Sequence, residues 1–84
     1  MSHAVVTEAD VKAWCVDFLA TLLEVPATDI NPTRTFPDLG LDSAAAMHLV
    51  VGIEEWLGIE LSPDVVNDHP TIDALARFLA MPKT

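Results

Sequence analysis

A serine at the start of an apolar, helix-forming run is the residue of this chain best placed to do chemistry. Ser43 follows Asp42, and the four residues after it, 44–47, are good helix formers. Asp42 is a strong N-cap residue, because its carboxylate can accept a hydrogen bond from a free backbone N–H one turn later. The Ser43 hydroxyl should therefore lie at the first turn of a helix, where free N–H groups and the helix dipole favour an anion. Such a position suits a phosphate ester.

A catalytic nucleophile is the alternative role for Ser43, and it needs a base within hydrogen-bond reach. His48 is five residues further on, which places it about 140° around the helix, pointing away from Ser43. His69 could approach only through the tertiary fold. Glycine does not flank Ser43 on both sides, as it does in the nucleophile elbow of hydrolases. The sequence therefore disfavours a self-contained hydrolase.

Metal and thiol chemistry find little support in the sequence. Asp38 and Asp42 flank Gly40, but the periodic oxygen ligands of a calcium loop are missing, and no Cys/His cluster suits zinc. The single cysteine, Cys15, excludes an internal disulfide and favours a reducing compartment. Because Cys15 falls on an apolar helix face, we expect an inert core thiol rather than a nucleophile.

Composition bounds the class of protein. The 84 residues suggest one domain, 1–84, and an apolar fraction of 51% makes a single small core feasible. The net charge of −9, from 13 acids and 4 bases, disfavours a nucleic-acid partner and fits a partner with a basic surface, or serves solubility alone. No signal peptide and no apolar run of ~18 residues is present, so we expect a monomeric cytoplasmic protein without a membrane partner.

The first half of the chain predicts a helix followed by a long loop. Helix I, residues 7–24, should begin at a capping box formed by Thr7 and Asp10. The loop, residues 25–42, contains three prolines, and Gly40 within it marks a bend or a positive φ angle. A loop of this length in a small domain is often functional. The residues expected to bury helix I are Val11, Trp14, Cys15, Phe18, Leu19 and Leu22, and those expected to pin the loop are Ile30, Phe36 and Leu39.

Helix II, residues 43–57, carries two apolar stripes and ends at Gly58. The stripe expected to face the core consists of Ala46, Leu49, Val50, Ile53 and Leu57. The second stripe, Ala44, Met47 and Val51, begins beside Ser43. We expect it to be partly exposed and to contact a partner, although a helix buried on two sides would also explain it.

The last third of the chain predicts one short and one longer helix. Ser62-Pro63-Asp64 resembles a helix start, with serine as N-cap and proline at the first position, and Pro70 stops this helix. Thr71 should cap a last helix that ends at Pro82. Its buried stripe is expected to be Ile72, Leu75, Ala76 and Leu79. The predicted fold is all-α, a small four-helix bundle of three longer helices and one short one, with a long loop between helices I and II.

These motifs together resemble the acyl carrier protein family. The run Asp38-Leu39-Gly40-Leu41-Asp42-Ser43, then Glu54-Glu55 and Pro70-Thr71-Ile72, is similar to that family over roughly residues 8–80. The resemblance implies that Ser43 carries a covalent 4′-phosphopantetheine arm from coenzyme A, and that Asp42 is the aspartate of the motif. It also implies a carrier rather than an enzyme, whose chemistry lies in the cofactor thiol and in partner enzymes.

The resemblance further implies the partners and the surface that meets them. The expected partners are a phosphopantetheinyl transferase and an acyltransferase, ketosynthase or adenylating enzyme with a basic surface. Ala44, Met47 and Val51 would supply apolar contacts. Glu54 and Glu55 match the acidic pair on the recognition helix of the family.

Two departures from the family pattern and one difference from peptidyl carriers bear on the cargo. Ala44 stands where many carriers have Leu or Ile, and His48 stands where fatty-acid carriers often have an acid. Residues 40–42 read Gly-Leu-Asp, whereas peptidyl carriers typically have two glycines there. We therefore expect a polyketide-type acyl carrier with acyl thioesters on the arm. An aminoacyl or peptidyl carrier of a nonribosomal pathway stays open, as does an unmodified acidic helical interaction module.

Overall fold

Four α-helices form the part of the chain that the computed structural model describes, residues 6–80. They are α1 (Glu8–Leu23), α2 (Ser43–Leu57), α3 (Val65–Asp68) and α4 (Ile72–Ala80), and two short 3₁₀ turns interrupt the loop between α1 and α2. The prediction of three longer helices and one short one is confirmed. Within residues 6–80 the β-type pairing is a single isolated bridge between Thr35 and Thr71. The predicted end at Pro82 lies outside the described residues.

The capping box predicted for helix I is confirmed. The Thr7 hydroxyl accepts the Asp10 N–H at 3.0 Å, and the Asp10 carboxylate accepts the Thr7 N–H at 3.3 Å. These two bonds satisfy N–H groups that no preceding turn can reach, so α1 begins at Glu8. The helix ends where Glu24 adopts a left-handed conformation with φ 58°.

The core is built from one apolar stripe of each helix together with residues of the long loop. Its members are Val11, Cys15, Leu19, Ile30, Phe36, Leu41, Leu49, Val50, Ile53, Val65, Ile72, Leu75 and Ala76. Ile30 and Phe36 pin the loop as predicted. Helices α1 and α4 pack closely against each other, and Lys12 Nζ lies 2.9 Å from Asp73 Oδ1 across their junction.

Part of the predicted burial was wrong. Trp14, Phe18 and Leu22 are only half-buried, because they lie on the flank of the α1 stripe rather than at its centre. Trp14 stacks on Phe18 and on Trp56 of α2, with ring centroids 4.9 Å apart in both pairs. Four further residues expected in the core are likewise half-buried: Leu39 of the loop, Ala46 and Leu57 of α2, and Leu79 of α4.

The predicted start of the short helix was also wrong. The Ser62 hydroxyl accepts the Asp64 N–H at 3.1 Å, and the Ser62 carbonyl accepts the Val65 N–H at 3.0 Å. Serine thus closes a turn ahead of the helix instead of capping it, and α3 begins at Val65. The cap predicted for the last helix is confirmed, since the Thr71 hydroxyl accepts the Ala74 N–H at 3.0 Å.

Candidate functional site

The start of α2 is capped by Asp42, as the sequence predicts. Asp42 Oδ1 accepts the Ala45 N–H at 2.8 Å, and the Asp42 carbonyl accepts the Ala46 N–H at 2.9 Å. The backbone of Asp42 is extended, with φ −90° and ψ −176°. Ser43 is therefore the first residue of the helix, at the end where the backbone dipole is positive.

The loop before Ser43 is held in place by its own backbone. Phe36 donates its N–H to the Pro70 carbonyl at 2.9 Å, and the Phe36 carbonyl accepts the Leu41 N–H at 3.1 Å. The side chains of Phe36 and Leu41 are buried, which fixes the chain immediately before Asp42. Gly40 has a φ of 96°, the positive value that the sequence allowed and that glycine adopts without strain. The backbone immediately before Ser43 is therefore held in place by hydrogen bonds and by buried side chains.

Ser43 is exposed and is accessible for modification. Within residues 6–80 the N–H groups of Ser43 and Ala44 have no protein acceptor. An exposed primary hydroxyl beside two free N–H donors at a helix start can carry a phosphate ester, because the donors and the dipole favour the phosphate charge. The residues present therefore fit the 4′-phosphopantetheine group that the resemblance implies.

Of the histidines within residues 6–80, neither His48 nor His69 is hydrogen-bonded to Ser43 as a base would be. His48 is exposed on α2. His69, which follows α3, stacks on Phe78 of α4 with ring centroids 4.2 Å apart, so it has a packing role.

The second apolar stripe of helix II is exposed, as predicted. Met47 and Val51 each expose 44% of their surface, and Ala44 is exposed beside Ser43. The alternative of a helix buried on two sides is therefore wrong. Contact between this stripe and a partner stays a prediction.

The two acids near the end of α2 differ from each other. Glu55 is exposed, as a partner contact requires. Glu54 is half-buried, and its Oε2 accepts the Leu61 N–H at 2.7 Å. No local pattern in the sequence indicates this bond, because seven residues and the turn at Gly58 separate its two partners.

The other groups that could do chemistry are the Cys15 thiol and the side chains that can bind a metal ion. Cys15 is fully buried, and burial raises the pKa of its thiol to about 12, so it is an inert core residue as predicted. Among residues 6–80 no three His, Cys, Asp or Glu side chains are grouped closely enough to hold a metal ion. None of the helices in this range is both long and apolar enough to cross a membrane.

Comparison with known proteins agrees with the geometry. The family model described as a phosphopantetheine attachment site matches residues 14–79. The chain is 36% identical over 83 residues, 99% of its length, to one subunit of the phenolphthiocerol/phthiocerol polyketide synthase of Mycobacterium tuberculosis. It spans only 4% of that large polypeptide.

Two smaller proteins match over most of their length. The acyl carrier protein TtuC of Teredinibacter turnerae is 32% identical over 75 residues, which cover 89% of this chain and 86% of TtuC. A free-standing peptidyl carrier protein of Acinetobacter baumannii has a TM-score of 0.82 and 33% identity, over 87% of this chain and 91% of that one.

An all-α bundle that presents an exposed serine at a capped helix start is the architecture of a carrier protein. The chain belongs to the phosphopantetheine attachment site family, the family of the acyl carrier proteins. Its cofactor is 4′-phosphopantetheine.

Proposed function

We propose that this chain is an acyl carrier of a polyketide-type pathway and that Ser43 is the residue that carries the arm. The observation that supports this most is the exposed Ser43 hydroxyl at the Asp42-capped start of α2, in a chain that matches an attachment-site family. The similarity to a polyketide synthase over 99% of the chain supports the polyketide type. The proposed carrier domain is 1–84, and the proposed location is the cytoplasm.

The protein would contribute a positioned and accessible Ser43 hydroxyl to the reaction. It would supply no acid, base or metal of its own. Asp42 fixes the first turn of α2, and the loop held by Phe36 keeps Ser43 in one orientation. When attached, the arm supplies the thiol on which acyl groups are held as thioesters. Separate enzymes would attach the arm and act on its cargo, so the chain itself would not be an enzyme.

The proposed contact surface surrounds Ser43 on α2 and is called the recognition face below. It consists of Ala44, Met47 and Val51 with the exposed acid Glu55. A phosphopantetheinyl transferase would meet it, as would an acyltransferase, a ketosynthase or an adenylating enzyme. Each should present basic residues around an apolar patch, because opposite charges raise the association rate.

A peptidyl or aminoacyl carrier is the second candidate. The 33% identity to a peptidyl carrier protein favours it, whereas Leu41 in place of a second glycine favours the acyl type. The two candidates share the arm and differ in the enzyme that loads it.

Loading separates these candidates. The protein is first treated with coenzyme A and a promiscuous phosphopantetheinyl transferase, and the product is followed by intact mass. The modified protein is then offered to a polyketide acyltransferase with malonyl-coenzyme A, or to a nonribosomal adenylating enzyme with ATP and its amino acid. Acyl loading at the higher kcat/KM supports the proposal. Amino-acid loading at the higher kcat/KM would favour the peptidyl carrier, and no gain of mass in the first step would contradict both.

A further inference from the structure

Glu54 receives three N–H groups from the residues that follow α2. Its carbonyl accepts from Gly58 at 2.8 Å and from Ile59 at 3.2 Å, and its Oε2 accepts from Leu61 at 2.7 Å. Residues 58–61 are called the α2–α3 turn below. One residue thus binds both ends of this turn, with its main chain at the start and its side chain at the end.

The turn needs this anchor because its backbone leaves the helix abruptly. Gly58 is left-handed with φ 67°, which reverses the chain direction. Leu61 then packs partly against the core, just before the segment that leads to the buried Val65 of α3. A carboxylate is a stronger acceptor than a neutral group, so the Leu61 bond holds the turn more firmly than an amide–carbonyl bond would.

We infer that the two adjacent acids of α2 have different tasks. Glu54 is a positioning residue that fixes the α2–α3 turn, and Glu55 alone of the pair supplies charge to a partner. The part concerning Glu55 rests on the proposed function. A partner cation that drew the Glu54 carboxylate outward would leave the half-buried Leu61 N–H without its acceptor, which is unfavourable. A cation on Glu55 disturbs no such bond, because Glu55 is exposed.

Glutamine variants distinguish the hydrogen-bonding role of an acid from its charge. Glu54→Gln keeps a side-chain acceptor for the Leu61 N–H but loses the charge, whereas Glu54→Ala loses both. Glu55→Gln and Glu8→Gln remove the same unit charge from the proposed recognition face and from the start of α1. All four are compared with wild type.

Amide hydrogen exchange at Leu61, measured by NMR on the unmodified protein, tests directly whether the Glu54 carboxylate holds the Leu61 N–H. Exchange in Glu54→Ala should accelerate by roughly 10- to 100-fold relative to wild type, which is the range for one lost hydrogen bond to a charged group. Exchange in Glu54→Gln should lie between the two. Exchange in Glu55→Gln and Glu8→Gln should match wild type. Unchanged exchange in Glu54→Ala would overturn the anchoring role.

The kinetics of the phosphopantetheinyl transferase test which of the two acids supplies charge to a partner. The carrier is the varied substrate, with coenzyme A and a phosphopantetheinyl transferase, at low and at physiological salt. Glu55→Gln should raise KM at low salt and flatten its salt dependence, while Glu54→Gln and Glu8→Gln keep the wild-type salt dependence. A flattening in Glu54→Gln equal to that in Glu55→Gln would overturn the division of tasks. Wild type that gains no arm would overturn the proposed function and the role of Glu55, while Leu61 exchange would still decide the role of Glu54.

Discussion

Gly52, in the middle of α2, should resist replacement by alanine although alanine is the better helix former. The Cβ of an alanine there would lie 3.0 Å from Trp14 Cη2, 3.0 Å from Phe18 Cε1 and 3.3 Å from Phe18 Cζ. Carbon atoms rest at ~3.5–4.0 Å, so the rings would have to retreat. Trp14 is already stacked on both Phe18 and Trp56, so its retreat disturbs two ring pairs.

The magnitude follows from two opposing effects. Glycine to alanine in a helix interior gains ~1 kcal/mol in an open site. Overpacking a filled site costs ~1–3 kcal/mol, and each aromatic pair is worth ~0.5–1.5 kcal/mol. We therefore expect Gly52→Ala to lower the free energy of unfolding by about 1 kcal/mol, which corresponds to a Tm lower by about 4–8 °C in a domain of this size.

Denaturant unfolding followed by far-UV circular dichroism measures this loss. Tryptophan fluorescence reports on the stack itself, because both tryptophans of the chain belong to it. In a Phe18→Leu background, which removes two of the three close contacts, the penalty should shrink. A Gly52→Ala protein more stable than wild type, or an equal penalty in both backgrounds, would contradict a steric clash with the Trp14 and Phe18 rings.

Three further predictions concern the core, the thiol and the recognition face. Ile53→Ala, at a fully buried position, should cost ~2–5 kcal/mol in denaturant unfolding, and a loss below ~0.5 kcal/mol would contradict its place in the core. Because burial raises the pKa of Cys15 to about 12, iodoacetamide should label the folded protein at pH 8 far more slowly than the unfolded one. Since this folded-state pKa lies above the ordinary value of 9.0, the free energy of unfolding should fall as pH rises from there towards 12, and constant stability over that range would contradict it. Met47→Ala, which removes exposed apolar surface without changing the charge, should slow transfer of the arm while Tm stays near wild type, whereas Glu8→Ala on α1 should do much less; equal losses would contradict a recognition face localised on α2.

The helices and the position of Ser43 at a capped helix start could be predicted because their signals are local. Three of these signals depend only on residues within one turn: the capping pair Thr7 and Asp10, the cap at Asp42, and the positive φ of Gly40. Such signals survive in any tertiary context that keeps the helix.

The errors lie where the outcome depends on packing or on distant residues. Periodicity found the apolar side of α1 but not how far α2 covers it, so Trp14 and Phe18 were expected to be more buried than they are. Ser62 can cap a helix or close a turn, and the sequence around it suits both. The bond from Leu61 to Glu54 spans seven residues and needs the reversal at Gly58.

The role of Ser43 is decided by the mass of the protein after treatment with coenzyme A and a promiscuous phosphopantetheinyl transferase. Wild type and Ser62→Ala, a variant at another exposed serine, should each gain the mass of one phosphopantetheine, on the peptide that contains Ser43. Ser43→Ala should gain none while its circular dichroism spectrum stays that of wild type. An unmodified wild type, or equal modification of Ser43→Ala, would contradict the assignment of Ser43 as the attachment residue.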